Sequence, residues 1–318
     1  MLKVSVIIPT YNRERCIIDL LECLFVQDYP EFEIIVVDQS DALTNDKKQM
    51  IARSARLKYY WIAERGRSLA KNYGILFSSG DIVLFCDDDI IVPTNFISTH
   101  VKTYDNEQVA AQSCRLIEEG QPASAIKKPL RTTFFGQLIN KPYSTVSGYV
   151  TSLNGGNMSF RKSVLDQIGF FEEYFTGTSM VEEPDMAYRI IQLKHRIFFN
   201  ASITVQHYPQ FNGNAAEMKG KRASWFYFYF FNLGIFYLKY KRAWNMFFVF
   251  VYCITLSLKH TVLYGLGPKD YIKMVSGYFD GLRRGLSVGA LPSPKGKYYT
   301  PVRYEKRKYN PITVDSLS

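Results

Sequence analysis

The sequence predicts an α/β fold built on a mostly parallel β-sheet with helices on both faces. Three observations predict it. Strand-like apolar runs alternate with helix-spaced segments over the first ninety residues, three of those runs end on polar residues, and 47% of the 318 residues are apolar. That apolar content is enough for a sizeable core. The alternation is typical of βαβ units, whose strands pair in parallel.

The predicted elements follow one another in a regular order. Lys3–Ile8 is a β-branched run that Pro9 is expected to end, and Arg13–Gln27 has apolar residues at helical spacing. Further strands are predicted at EFEIIVVD, LKYYWIAE and DIVLF, and a helix between Gly66 and Gly80. The sequence has no G-x-G-x-x-G after the first strand and no G-x-x-x-x-G-K-[ST], so neither a dinucleotide fold nor a P-loop is supported.

Cysteine usage and the N-terminus predict a reduced, cytosolic chain. The five cysteines have no paired metal spacing, which favours buried thiols over a disulfide framework. The N-terminal apolar run is cut off by Pro9, so it is too short for a signal peptide and is expected to be the first strand.

Charge is distributed unevenly along the chain. The net charge is +10, but residues 219–318 carry 17 Lys and Arg against 4 Asp and Glu, whereas residues 1–218 carry 22 against 25. A basic, aromatic C-terminal region on a slightly acidic body suits an anionic surface, either a membrane or a nucleic acid.

Three adjacent carboxylates mark the predicted site. Asp87, Asp88 and Asp89 follow the apolar run Ile82–Cys86, and carboxylates this close repel one another unless a positive partner is present. Ligands of parallel α/β sheets bind at the carboxyl ends of the strands. Asp87 and Asp89 can point the same way and offer hard oxygen ligands suited to Mg²⁺ or Mn²⁺, with an acidic turn as the alternative.

Six segments resemble family 2 glycosyltransferases of the GT-A fold. They are VSVIIPTYNR, EIIVVDQS, GRSLAKNYGI, GDIVLFCDDD, NGGNMSFRKSVLDQIGFFEEYF and EEPDMAYRI, and the resemblance covers roughly residues 3–210. It implies a Rossmann-like, mostly parallel sheet flanked by helices. It also implies an inverting transfer of a sugar from a nucleotide-sugar donor to an acceptor hydroxyl, with Mg²⁺ or Mn²⁺ as the divalent cation.

The resemblance assigns the donor side of the site. Asp38 would bond the base, which favours UDP or dTDP donors because a carboxylate accepts from a pyrimidine ring N–H. Lys71 stands where the family usually has arginine. Lysine lacks the planar guanidinium group of arginine, so a position on a solvated helix face is the alternative to a ligand role. The implied metal ligands are Asp89, Asp87 and His207, with a structural role as the alternative for the histidine. The other implied donor-binding residues are Pro9, Thr10, Tyr11, Arg13, Asp87 and Asp88.

The resemblance also assigns the acceptor side. Gly155, Gly156 and Asn157 fall in the segment that lines the donor-sugar and acceptor cleft of the family, with a tight turn as the alternative. The family usually shows Glu-Asp where this chain has Glu182-Glu183. We assign the general base to Glu183, with Glu182 as the second candidate. Pro184 favours the first turn of a helix and is expected to leave Glu183 in the loop before it.

The C-terminal region contains two uncharged runs of 16 residues, one between Arg222 and Lys239 and one from Ala243 to Leu258. A helix of that length spans about 24 Å, less than the roughly 30 Å hydrocarbon core of a bilayer. We therefore expect two helices at the membrane interface, with a hairpin packed on protein as the alternative. The Gln-x-x-Arg-Trp motif of the family's processive synthases is absent, which favours transfer of a single sugar.

These expectations divide the chain into a catalytic domain at 1–213, an aromatic and basic helical region at 214–292 and a basic tail at 293–318. The leading hypothesis is an inverting glycosyltransferase, peripheral on the inner face of the cell membrane, that glycosylates a cell-surface glycan or a polyprenyl-linked precursor. A homo-oligomer contact is a second expectation for the helical region. The alternatives are a sugar-nucleotide pyrophosphorylase-like enzyme and a non-catalytic protein that binds membrane or nucleic acid; the acidic site argues against nucleic acid.

Overall fold

The computed structural model describes residues 1–177, 180–209, 222–240 and 243–287. Within these ranges the predicted α/β class is confirmed, because nine strands form one sheet that carries helices on both faces. The strands of that sheet are β1 Val4–Thr10, β2 Phe32–Asp38, β3 Leu57–Trp61, β4 Ile82–Cys86, β5 Ile90–Ile91, β6 Val109–Glu118, β9 Gly148–Val150, β10 Asn157–Arg161 and β11 Arg196–His207. A separate hairpin pairs β7 Leu130–Thr132 with β8 Leu138–Asn140.

Strand order brings several strand ends to one edge of the sheet. The order is β3-β2-β1-β4-β10-β6-β11-β5, with β9 beside β11. The first four strands are parallel, β10 is antiparallel to both of its neighbours, and β6 pairs in parallel with β11. As a result β1, β2, β4, β6 and β11 all run in the same direction, and their carboxyl ends lie at a common edge.

Helices cover both faces of the sheet because each presents an apolar stripe to it. One buried cluster joins the sheet to α1 Glu14–Phe25, α2 Asn45–Ala52 and α4 Phe96–Thr103. The other joins the opposite face to α3 Arg67–Phe77, α5 Lys162–Ile168 and α6 Glu182–Gln192. The sheet is therefore buried on both sides, which explains why its parallel strands consist of nearly continuous apolar residues.

Two predicted boundaries are wrong. Pro9 does not end the first strand, since it pairs in register with Val37 and β1 continues to Thr10. Helix α6 starts at Glu182, so Glu183 lies in the first turn and not in a preceding loop. Proline is tolerated in a first turn because its missing N–H has no intrahelical acceptor there, and this allows Pro184 to be the third residue of the helix.

Within the described residues three helices follow the sheet domain: α7 Arg222–Lys239, α8 Ala243–Leu263 and α9 Pro268–Ser287. Their buried side chains form a third apolar cluster together with Phe175 and Val181. The predicted pair of interfacial helices is wrong for α7, which is packed between the sheet domain and α9. Residues 214–221 and the predicted tail at 293–318 lie outside the described residues.

Helix α8 differs from α7 in its exposure. Its window Trp244–Leu263 contains 20 residues with a mean hydropathy of 1.7, and 17% of it is buried. By length and composition this helix could cross a membrane. The prediction of a helix too short to span is therefore wrong for α8, because the helix continues past Lys259 and His260 to Leu263.

Candidate active site

The site lies where the carboxyl ends of β1, β4, β6 and β11 meet the start of β10. Two adjoining cavities open there, of about 320 Å³ and about 200 Å³. Asp87, Asn140, Asn154 and Gly156 line both cavities. The Asp87 carboxylate makes no hydrogen bond or ion pair with the part of the chain that the structure describes, so it is available to a ligand from either side.

Asp88 is the most enclosed member of the triplet. Its carboxylate accepts from the Thr10 hydroxyl at 2.6 Å and from Arg13 Nη1 at 3.0 Å. Burial raises the pKa of Asp88 to about 6, although the charge of Arg13 opposes the rise. Asp88 thus joins the end of β1 to the end of β4 and orients the loop that carries its two neighbours.

Asp89 is paired with Arg13 and His207. It accepts from Arg13 Nη1 at 2.8 Å, and its other oxygen lies 3.3 Å from His207 Nε2. His207 Nδ1 lies 3.2 Å from a Glu118 carboxylate oxygen. Burial opposes ionisation of Asp89, but the hydrogen bond and charge of His207 outweigh it and lower the pKa of the carboxyl group.

The Asp87, Asp89 and His207 side chains are compatible with a divalent cation. Across residues 1–177, 180–209, 222–240 and 243–287, no group of three or more His, Cys, Asp or Glu side chains is arranged as a complete metal site. Two carboxylates and one imidazole nevertheless form a donor set that suits Mn²⁺ or Mg²⁺, which complete their shells with water and phosphate. Asp87 and His207 line the larger cavity, and Asp89 contacts His207.

Asp38 is not placed to contact a base, contrary to the expectation from the sequence. Its side chain has no exposed surface. The carboxylate accepts from Lys47 Nζ at 2.8 Å, from the Ser40 backbone N–H at 2.7 Å and from the Tyr59 hydroxyl. Buried carboxylates need such partners, so Asp38 serves to fix the loop after β2.

Glu182 is a fully buried carboxylate with protein partners on both oxygens. Lys71 Nζ donates to one oxygen at 2.5 Å, and the Ser68 hydroxyl donates to the other. Lys71 is itself fully buried, so neither alternative offered by the sequence, a donor ligand or a solvated face, describes it. The pair ties helix α3 to the first turn of α6.

Glu183 faces the smaller cavity, and its carboxyl group ionises at a higher pH than that of an ordinary glutamate. Burial and the neighbouring charge of Glu182 raise its pKa to about 7, while Lys71 and Arg67 act in the opposite direction. Its carboxylate packs against Gly155, where a Cβ atom would overlap it. A larger residue at position 155 would therefore displace the Glu183 carboxylate from its place beside the cavity.

The NGGN segment contributes to the site only in part. Gly155 and Gly156 line the smaller cavity, as expected. Asn157 lies inside β10 with no exposed surface, and its side-chain oxygen accepts from the Cys114 backbone N–H at 2.7 Å. The expectation that Asn157 lines the cleft is thus wrong, because the strand begins at this residue and turns its side chain into the sheet.

Arg67 is a site residue that sequence reasoning missed. It is the first residue of α3, is exposed, and lines the smaller cavity with Asp87 and Glu183. Desolvation lowers the pKa of this guanidinium, but the nearby carboxylates more than offset that effect. No residue of the described chain forms a hydrogen bond or ion pair with it. Its only sequence signal was a spacing of four residues before Lys71, which puts both on one helix face.

Pro9 and Tyr11 flank Thr10 at the end of β1. The Tyr11 ring lies 4.7 Å from the Arg65 guanidinium carbon, and Arg65 is paired with Asp41. The half-buried Tyr11 ring and the exposed Arg65 lie beside the end of β1, where the resemblance places the nucleotide.

Sequence comparison identifies the family. The profile of glycosyl transferase family 2 matches residues 5–169, more than half of the chain. Staphylococcus aureus poly(ribitol-phosphate) beta-N-acetylglucosaminyltransferase TarS is 26% identical over 203 residues, 59% of this chain and 35% of TarS. A Campylobacter jejuni GalNAc(5)-diNAcBac-PP-undecaprenol beta-1,3-glucosyltransferase is 29% identical over 185 residues, 55% of this chain and 57% of that enzyme. The chain spans between 17% and 62% of the length of these and other curated relatives.

Comparison with solved structures supports the GT-A fold that the sequence resemblance implies. Residues 1–349 of Staphylococcus aureus TarS superpose with a TM-score of 0.55 and 18% identity, covering 94% of this chain and 93% of that one. The Pyrobaculum calidifontis mannosyltransferase PcManGT, solved with GDP-Man and Mn²⁺, superposes with a TM-score of 0.54 and 17% identity over 90% and 87%. Because the family profile covers more than half of the chain, the chain belongs to glycosyl transferase family 2.

Proposed function

We propose that this glycosyltransferase moves a single sugar from a nucleotide-sugar to an acceptor hydroxyl with inversion, and that Glu183 is the base. The observation that carries the proposal is the Glu183 carboxyl group, whose pKa is raised to about 7 and which lines the same cavity as Asp87 and Arg67. A base whose pKa lies close to the working pH combines sufficient basicity with a sufficient ionised fraction.

In the proposed reaction, ionised Glu183 removes the proton of the acceptor hydroxyl while its oxygen attacks the anomeric carbon. The bond from that carbon to the diphosphate oxygen breaks on the opposite face, and the diphosphate leaves with the electron pair. Arg67 is the unpaired cation on the wall of this cavity, and we assign it to the diphosphate charge. A divalent cation held by Asp87, Asp89 and His207 would neutralise further negative charge on the leaving group.

The nucleobase and the acceptor are proposals with different support. The preference for UDP or dTDP donors depended on Asp38. Because protein groups enclose this side chain, the geometry adds no support for that preference. The related Campylobacter enzyme is named for an undecaprenol-linked acceptor and TarS for poly(ribitol-phosphate). We propose an acceptor of that general kind, a cell-surface glycan or its polyprenyl-linked precursor.

The experiment that tests this function is a hydrolysis screen, because water can replace an unknown acceptor. UDP-glucose, UDP-N-acetylglucosamine, dTDP-glucose and GDP-mannose are incubated with the full chain in Mn²⁺, in Mg²⁺ and in EDTA. We expect at least one donor to be hydrolysed, with the rate lost in EDTA and in Asp89→Ala. Full turnover in EDTA or in Asp89→Ala would contradict the metal assignment, and no hydrolysis of any donor would contradict the proposed activity.

We also propose that the protein is peripheral on the inner face of the cell membrane, attached through α8. The support is an apolar helix of which 17% is buried, within a C-terminal region that is strongly basic. Apolar burial together with attraction to anionic lipid is the usual basis of such attachment.

A further inference from the structure

Helix α7 lies against the helix that carries the proposed base. Its residue Tyr229 lines the smaller cavity together with Glu183 and Pro184. Ten residues later, at about 1.5 Å per residue, α7 has advanced about 15 Å and ends at Lys239, which contacts Asp185 in the first turn of α6. One helix from outside the sheet domain thus borders both the cavity and the base helix.

The end of α7 is joined to α6 by a buried ionic cluster. Lys239 Nζ donates to Asp185 Oδ1 at 2.9 Å and to Glu172 Oε1 at 2.7 Å. Arg189 Nε donates to Asp185 Oδ2 at 2.9 Å, and the Tyr240 hydroxyl donates to Asp185 Oδ1 at 2.7 Å. Two cations and two anions therefore balance, and all four charged side chains are buried.

Asp185 connects this cluster to the base. It lies two residues after Glu183 on the same rigid helix, so the orientation of α6 about its axis sets the direction of both side chains. Without Lys239, the cluster would keep two carboxylates and one cation away from water, which is costly. Glu172 is especially sensitive, since its Oε2 already has no hydrogen-bond partner within the described residues.

We propose that Lys239 is a positioning residue for the transfer reaction: it holds α6 so that the Glu183 carboxylate stays in the cavity. The inference rests on the proposed function, because it takes Glu183 as the base. It makes α7 part of the catalytic unit, although α7 lies outside the region that the family profile matches.

The test compares Lys239→Met with Lys239→Met/Glu172→Gln. The single variant leaves an unbalanced carboxylate, whereas the double variant restores charge balance but not the link between α7 and α6. Hydrolysis of the most active donor of the screen is measured per binding site, with sites counted by titration of its nucleoside diphosphate. Rates expressed in this way do not depend on the folded fraction. Lys273→Met, an exposed lysine on α9, is the matched control.

We expect Lys239→Met to lose about 10- to 100-fold in rate per site, because an ångström of misplacement has that effect, with donor affinity unchanged. The double variant should regain thermal stability and remain slow, and Lys273→Met should match the wild type. A wild-type rate per site in Lys239→Met, or recovery of rate with stability in the double variant, would overturn the inference. Hydrogen exchange gives a readout without activity: the α6 amides from Asp185 onward, which donate helical hydrogen bonds, should exchange faster in the double variant, and unchanged exchange would also overturn the inference.

Glu183→Gln, measured in parallel, separates the two proposals. If Glu183→Gln hydrolyses the donor as fast as the wild type, the proposed function fails. If Glu183→Gln is inactive while Lys239→Met has the wild-type rate per site, the positioning inference alone fails.

Discussion

Glu182 and Glu183 are neighbours in the chain with opposite surroundings. Glu182 has Ser68 and Lys71 as hydrogen-bond partners and is shielded from the cavity, while Glu183 lines the cavity and has a raised pKa. Two adjacent carboxyl groups, one held by two hydrogen-bond donors and the other facing the cavity, can divide the work of orientation and proton transfer. We assign orientation to Glu182 and proton transfer to Glu183.

This division predicts a pH dependence. Glu183 accepts a proton only when ionised, so kcat should fall as the pH drops through about 7. Glu182→Gln removes the adjacent negative charge that helps to raise the pKa of Glu183, and Lys71 and Arg67 lower that pKa. The acidic limb of the kcat profile should therefore move to lower pH in Glu182→Gln. The assignment fails if the limb stays in place or moves to higher pH.

Residues differ in how far the sequence alone could place them. The acidic triplet was predictable because it follows a continuous apolar strand, and the structure puts it at the expected edge of the sheet. Asp38 also follows a continuous apolar strand, but Lys47 and Tyr59 enclose its side chain. The sequence pattern does not show that these two residues contact it. Arg67 could not be identified from the sequence, because an arginine at the start of a helix is ordinarily solvated.

At the scale of elements, the close approach of α7 and α9 holds the helical region together. Gly281 of α9 faces the backbone of α7, and a Cβ atom there would overlap the carbonyl oxygen of Phe231. The sequence showed three small residues, Gly277, Gly281 and Gly285, at intervals of four, but a hydropathy pattern does not reveal the partner of such a stripe. The uncharged run in α7 therefore predicts a membrane surface, whereas the structure shows a protein interface.

This packing predicts a loss of stability in Gly281→Val. Forcing the two backbones apart should destabilise the fold by about 1–3 kcal/mol, as overpacking does elsewhere. Gly148→Ala is the matched control, because a Cβ atom there meets nothing within 4 Å. The measurement is urea unfolding of both variants. Equal midpoints for Gly281→Val and the wild type would show that α7 and α9 are not packed in this way.

At the scale of the whole molecule, exposed apolar side chains of α8 adjoin those of the loop between β7 and β8. Trp244, Phe247, Val251 and Leu258 of α8 are all more than 40% exposed, as are Phe134 and Phe135 of the sheet domain. The Phe135 ring lies 4.8 Å from Phe248, so the two groups adjoin. An exposed apolar surface of this kind marks a membrane or protein contact.

The membrane proposal predicts how this surface should respond to substitution. Phe247→Asp/Val251→Asp should bind phosphatidylcholine–phosphatidylglycerol vesicles at least about tenfold more weakly, since each large apolar side chain buried contributes about 1.5–3 kcal/mol. Val26→Asp changes an exposed apolar residue outside α8 and should have no effect. The measurement is vesicle co-sedimentation at low salt. Equal binding by the α8 variant and the wild type would refute attachment through α8.

The most direct test of the central claim is the turnover of Glu183→Gln with the donor found in the hydrolysis screen. Glutamine fills the same space but cannot accept the proton, so hydrolysis should slow by about 10²–10⁴-fold. Donor affinity, measured by calorimetry on the same sample, should stay within about twofold because the base acts on the nucleophile and not on the nucleotide. Wild-type turnover in Glu183→Gln, together with a large loss in Glu182→Gln, would contradict the account and transfer the role of base to Glu182.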